Sequence, residues 1–140
     1  MDILVTGTAG FIGYFIAKKL LELGHRVIGV DNVNNYYDTR LKEDRLKNLK
    51  VFSAFTEKRI DIADKDTVLK CFENYKPARV LNLAAQAGVR YSLENPYAYI
   101  DSNITGFLTI LEGCRHFKVE QLIFASTASV YGANEKNAMV

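Results

Sequence analysis

Apolar residues along the chain fall into two alternating rhythms. DILVT (2–6) is a short, nearly continuous apolar run, the pattern of a strand covered on both faces. A helix is predicted over 11–23, where Ile12, Ile16, Leu20 and Leu23 recur at near-four-residue steps and Gly24 supplies the stop. RVIGV (26–30) reads as a second strand. Residues 31–50 are polar and tyrosine-rich, with a charged, weakly amphipathic helix predicted near 38–49 whose charges form a solvated face. A third strand is expected to finish around Arg59-Ile60-Asp61-Ile62. Asp64 is placed to cap a helix running to about Tyr75, with Val68, Leu69, Phe72 and Tyr75 on one face and Pro77 as its breaker. RVLNLA (79–84) is the fourth strand. Asn95-Pro96 pairs a cap with a first-turn proline, opening a long helix to about Phe117 with Ile100, Ile104, Leu108 and Leu111 along one side. QLIFAS (121–126) is the fifth strand.

Strands alternating with helices at this spacing predict an α/β fold: a doubly wound parallel sheet with right-handed crossovers and strand order 3-2-1-4-5. The 140 residues allow one domain. With 49% hydrophobic and 24% charged residues, the composition excludes a disordered or low-complexity chain. A net charge of +2 with scattered basic residues gives no stripe for a phosphate backbone, so no nucleic-acid partner is expected. The apolar runs are far short of the roughly 20 residues of a membrane span. Met1-Asp2 leads straight into a strand without a signal peptide, and the expected location is cytoplasmic. Cys71 and Cys114 fall on the apolar sides of helices as reduced core thiols, and no metal site is expected.

Chemistry enters between the first strand and the first helix. Thr6-Gly7-Thr8-Ala9-Gly10-Phe11-Ile12-Gly13 has the spacing G-x-x-G-x-x-G in a strand-to-helix turn. Glycines there permit a tight turn and close approach of backbone to a pyrophosphate, while the first helical N–H groups, those of Phe11 and Ile12 included, favour its charge. Gly13 lets the helix sit close to the sheet. This is the signature of a Rossmann-type dinucleotide site. Asp31 ends strand two, where a carboxylate accepts both hydroxyls of an adenosine ribose. A 2′-phosphate would meet a like charge there, worth on the order of 4 kcal/mol at about 4 Å and an effective dielectric near 20. Asn32 and Val33 follow with no arginine to invert that logic, so NAD is favoured over NADP. Asp61 and Ile62 offer a polar contact and an apolar wall for adenine, with an ordinary strand-end carboxylate as the other reading of Asp61, and Asn35, Tyr36 and Tyr37 form a loop over the adenosine end.

The glycine spacing, with Asn82-Leu83-Ala84-Ala85 closing strand four, resembles the extended short-chain dehydrogenase/reductase superfamily. GHRVIGVDNVNNYYDTRLKEDRL (24–46), NLAAQAGVRYSLENPYAYIDSNITGFLTILEGCRH (82–116) and STASVYG look like the nucleotide-sugar 4-epimerases that act on UDP-glucuronate. The resemblance implies NAD as a recycled hydride carrier, a UDP-sugar substrate, and interconversion of UDP-glucuronate and UDP-galacturonate by transient oxidation at C4. It implies that Leu83, Ala84, Ala85 and Gln86 lie beside the pyrophosphate and nicotinamide ribose, and that Asn103 fixes the loops around the nicotinamide half. Asn103 is also expected to be buried, since Ile100 and Phe107 point the same way. By position, Thr127 is the catalytic hydroxyl, with Ser126 supporting it on the cofactor side and Ser129 on the substrate side. Arg90 is a candidate for the sugar carboxylate, with a structural ion pair as its other reading.

The family's base is a tyrosine in a Tyr-x-x-x-Lys pair, its pKa lowered from about 10 by the neighbouring cation. Tyr131 is not that base, because Glu135 stands four residues on and Lys136 is one residue out of step on an unstructured-looking tail. His25 and His116 are surface or capping residues. The chain is therefore expected to be an incomplete NAD-binding domain spanning 1–140, lacking a C-terminal substrate domain and inactive by itself. The resemblance implies a homodimer at full length; for this chain an open strand edge and an uncovered helix face predict non-native self-association. A UDP-glucose 4-epimerase, a nucleotide-sugar dehydratase, a UDP-glucuronate decarboxylase and a non-catalytic dinucleotide-binding protein are the alternatives. Ala128-Ser129 stand where dehydratases tend to carry an Asp-Glu pair.

Overall fold

The fold is taken from a computed structural model that describes residues 1–132; Glu135 and Lys136 lie outside the described residues. Five parallel strands, β1 (Asp2–Thr6), β2 (Arg26–Asp31), β3 (Phe55–Arg59), β4 (Arg79–Asn82) and β5 (Gln121–Phe124), form one sheet in the order β3-β2-β1-β4-β5. The expected doubly wound topology is the one observed. Thr6 pairs with Val30 on one side and Asn82 on the other, and Asn82 pairs with Phe124, so the strand exits line up along one carboxyl edge.

Each face of the sheet carries its own core because successive strand side chains point to opposite sides. Ile3, Val5 and Val27 pack with Ala17 and Leu21 of α1 (Phe11–Glu22) and Leu49 of α2 (Thr39–Leu49). Leu4, Ile28, Val30 and Val80 pack on the opposite face with Val68, Cys71 and Phe72 of α3 (Lys65–Tyr75) and Ile110 of α5 (Phe107–His116). Phe72 is fully buried and stacks on Phe117, their ring centroids 6.0 Å apart. Truncating it to alanine would cost about 3 to 5 kcal/mol. Asp38, Asp64 and Asn95 cap α2, α3 and α4 (Pro96–Tyr99), each accepting a backbone N–H of the first turn.

Several elements depart from the sequence reading. The buried face of α1 is Gly13, Ala17 and Leu21, while Ile12 and Leu23 are exposed. Small residues win the sheet side because they let the helix axis approach the strands. The predicted solvated face of α2 contains buried Lys42, in line with Leu46 and Leu49. Strands β3, β4 and β5 stop at Arg59, Asn82 and Phe124, two or more residues before the expected ends, leaving Ile60–Ile62, Leu83–Ala84 and Ala125–Ser126 as loop. The long helix is three segments: α4, a π-helical stretch over Ile100–Gly106, and α5. Ile100, Ile104, Leu108 and Leu111 share an exposed apolar face along it, and Ile123 and Phe124 on β5 are half exposed.

Candidate functional site

The site is assembled along the carboxyl edge, starting from Thr6. Its buried Oγ1 donates to Asn82 Oδ1 at 2.7 Å and accepts the N–H groups of Leu83 and Ala84 at 3.0 Å each. The hydroxyl therefore ties the exit of β4 to the start of the glycine loop. Gly7 turns the chain with φ +74°, and a Cβ there would lie 2.9 Å from the Ala84 nitrogen. At Gly13 a Cβ would lie 2.6 Å from the Gly7 carbonyl carbon, so helix and turn touch backbone to backbone. This cradle closes only around glycine, and it leaves the first N–H groups of α1 without intrahelical partners. It fits a dinucleotide pyrophosphate.

Asp31 stands beside the cradle with both carboxylate oxygens fixed. Oδ2 accepts Ala9 N–H at 2.9 Å and Oδ1 accepts Val33 N–H at 2.8 Å. Val33 sits at φ +50°, a strained conformation for a β-branched residue, and that turn aims its N–H at the carboxylate. Each oxygen keeps a lone pair for a ribose hydroxyl. Asn32 Nδ2 donates to Asp61 Oδ2 at 3.0 Å, and Asp61 Oδ1 accepts Ala63 N–H at 2.9 Å.

Two adjoining cavities follow this edge. The first, about 130 Å³, is lined by Gly7, Gly10, Asp31, Asn32, Asp61 and Ile62 among others. The second, about 570 Å³, takes in Asn103, Phe107, Ser126 and Thr127. Leu83, Ala84, Ala85, Gln86, Ala87 and Ser102 line both, making one continuous trough. Asn103 grips the middle of it: its Oδ1 accepts Gln86 N–H at 2.9 Å and its Nδ2 donates to Gln86 O at 3.0 Å. Contrary to expectation Asn103 is exposed, because the π-helical stretch turns it toward the trough rather than into the core. Thr127 accepts Ser129 N–H at 3.2 Å, capping a short turn over Ala128–Tyr131.

Not every predicted site residue reaches the trough. Phe11 and Ile12 lie exposed on the first turn of α1, Asn35 yields its place in the lining to Asn34, and Ser129 and exposed Arg90 line neither cavity. Arg90 makes no ion pair among the described residues, so the structural alternative has no partner there. A Tyr-x-x-x-Lys spacing does exist, at Tyr14 and Lys18 on α1. Tyr14 packs on the α1 core and Lys18 pairs with Glu22 at 2.8 Å, away from both cavities.

Sequence reasoning missed three side chains. Arg45 donates to Ala9 O at 3.1 Å, bracing the glycine loop, and Ser102 lines both cavities. Lys42 lines the first cavity, donates to Asn34 O and Oδ1 at 2.8 Å each, and lies 4.4 Å from the centre of the Tyr37 ring. Burial holds its ammonium below the usual lysine pKa, and the charge of Asp31 works in the opposite direction. The available signal was its spacing four and seven residues before Leu46 and Leu49, the buried face of a helix.

A parallel sheet with a glycine cradle at its first crossover and an acid at the end of β2 defines a Rossmann-type dinucleotide-binding protein. The family model described as GDP-mannose 4,6 dehydratase matches residues 4–139, and the chain belongs to that family. It is 50% identical over 128 residues to a UDP-glucuronate 4-epimerase of Thermodesulfobacterium geofontis, covering 91% of this chain and 40% of the relative. It is 58% identical over 134 residues to Protein CapI of Staphylococcus aureus, covering 96% of this chain and 40% of that protein. Among solved structures, UDP-glucuronic acid 4-epimerase from Bacillus cereus in complex with UDP-glucuronic acid and NAD matches with a TM-score of 0.88 and 35% identity, over 99% of this chain and 44% of that one. The NAD complex of UDP-glucose 4-epimerase from Thermus thermophilus matches at TM-score 0.83 and 35% identity, over 100% of this chain and 42% of that one. The chain thus spans about 40% of the length of each of these two curated relatives.

Proposed function

We propose that the chain is the NAD-binding part of a nucleotide-sugar 4-epimerase that interconverts UDP-glucuronate and UDP-galacturonate. The observation that carries this reading is Asp31, its carboxylate fixed by Ala9 and Val33 N–H groups beside a cradle that only glycine fits. Gly7, Gly10 and the start of α1 hold the pyrophosphate, Asp31 and Asn32 the adenosine ribose, and Asp61 and Ile62 the adenine. Ala84, Ala85 and Gln86 hold the nicotinamide half. A nicotinamide dinucleotide bound there supplies a reversible hydride acceptor.

Thr127 offers the hydroxyl that hydrogen-bonds the reacting sugar oxygen, with Ser126 and Ser129 beside it. An unassisted threonine hydroxyl is too weakly acidic to ionise and serve as a general base at neutral pH, so proton transfer needs a tyrosine and lysine supplied beyond β5. The 140-residue chain therefore binds cofactor and does not turn over, while the longer polypeptide adds a substrate domain and pairs as a homodimer. The 50% identity to a UDP-glucuronate 4-epimerase supports the choice of sugar.

NADH fluorescence titration of the chain tests the first half: saturable binding is expected, and its absence at millimolar NADH sinks the reading. The second half is tested by expressing the chain with its genomic continuation and assaying UDP-glucuronate conversion. A continuation without Tyr-x-x-x-Lys defeats the epimerase assignment and leaves a non-catalytic dinucleotide-binding protein.

A further inference from the structure

We propose that Lys42 is a second determinant of cofactor choice, a tethered cation in the adenosine cavity that sets how strongly Asp31 rejects a 2′-phosphate. The inference rests on the dinucleotide reading above and goes beyond it, since that reading assigns selectivity to Asp31 alone.

Lys42 is 4% exposed. A buried ammonium is costly unless it is paired or fully hydrogen-bonded. Among the described residues it pairs with no carboxylate; two neutral acceptors on Asn34 and the face of Tyr37 are its contacts. An ammonium has three donors, so one N–H remains beyond the two given to Asn34. Packing alone does not account for a charge here, because an unbranched apolar side chain would fill the same space without desolvating an ion.

The charged residues lining this cavity are Asp31, Asp61 and Lys42. Their sum is one negative charge; without Lys42 it is two. An incoming 2′-phosphate therefore meets a repulsion that Lys42 lowers, while an unphosphorylated ribose carries no charge to sense it. Two hydrogen bonds to Asn34 tether the ammonium to that loop residue. If Asp31 loses its charge, Lys42 is the cation left lining the cavity, and its free N–H can give an added phosphate a charge-assisted bond that Asp31 otherwise opposes.

The test is titration of the full chain and its variants with NADH and NADPH by fluorescence. Asp31→Asn is expected to admit NADPH. Adding Lys42→Met to it should weaken NADPH about tenfold or more while changing NADH by less than about threefold, the size expected for a charge-assisted hydrogen bond. Asn34→Asp in the Asp31→Asn background, which keeps the lysine stem in place but pairs its charge, should have the same selective effect. A merely structural Lys42 would lower both affinities together, and that result overturns the proposal, as does failure of Asp31→Asn to take up NADPH. No NADH binding by the unsubstituted chain would instead bring down the dinucleotide reading, and this inference with it.

Discussion

The hydroxyl of Thr6 and the side-chain carbonyl of Asn82 meet at 2.7 Å across the β1–β4 pair, and the same hydroxyl receives the next two N–H groups of the chain. One buried oxygen thus decides the direction in which β4 leaves the sheet. Thr6→Val keeps the shape and removes all three bonds, stranding buried polar groups at a cost of about 3 kcal/mol. Urea unfolding should show that loss, and NADH affinity should fall because Leu83 and Ala84 lose their anchor.

Thr8 presents the opposite case two residues on. Its side chain is fully buried and its Oγ1 has no hydrogen-bond partner. Thr8→Val replaces an unsatisfied hydroxyl with a methyl of similar volume, and should stabilise the chain by about 1 kcal/mol. A lower urea midpoint for the variant would show that the hydroxyl is satisfied in solution.

Gly13→Ala should damage fold and site together. The added methyl would come within 2.6 Å of backbone at Gly7, which cannot rotate aside as a side chain can. Overpacking of this kind costs about 1 to 3 kcal/mol, and relieving it lifts α1 off the sheet and opens the cradle. Thermal unfolding and NADH titration should both register the change.

The sequence makes the sheet order legible because four apolar runs, with the polar third strand between the second and the last two, alternate with helical ones, and makes Asp31 legible because it ends a strand after a glycine turn. Lys42 was not legible in the same way. Its charge reads as surface in any apolar count, although its position on the Leu46 and Leu49 face placed it inside. Helix α1 misled for the reverse reason: Phe11, Ile12 and Phe15 are large and apolar yet exposed, while Gly13 and Ala17 take the sheet side. Pattern shows that a stripe exists, but the space between helix and sheet selects which stripe is buried. The π-helical turn left no trace in composition, since a shift in hydrogen-bond register involves only backbone.

The two thiols give a pH signature. Burial pushes Cys114 up to about 11 from 9.0 and raises Cys71 as well, against a smaller opposing pull from Lys58. A raised thiol pKa means the folded chain keeps a proton that the unfolded chain gives up first. The stabilisation is complete below the unfolded pKa, near 9, and is lost as pH climbs through the folded value near 11. Urea midpoints should fall across that window, and Cys114→Ala should flatten the slope even though it lowers stability throughout.

The π-helical stretch at Ile100–Gly106 holds one more residue than an α-helix would need to join α4 to α5. Deleting Asp101 would let the segment relax to ordinary α-helical bonding, with little expected loss of helix content by circular dichroism. Because the residue removed is the surplus one, α4 and α5 would keep their phase, while residues inside the stretch would rotate and the Asn103 grip on Gln86 would be lost. For this stretch of the molecule, then, a change in length is graver than a change in letter: the reading frame of the helix itself is what keeps the middle of the trough in shape.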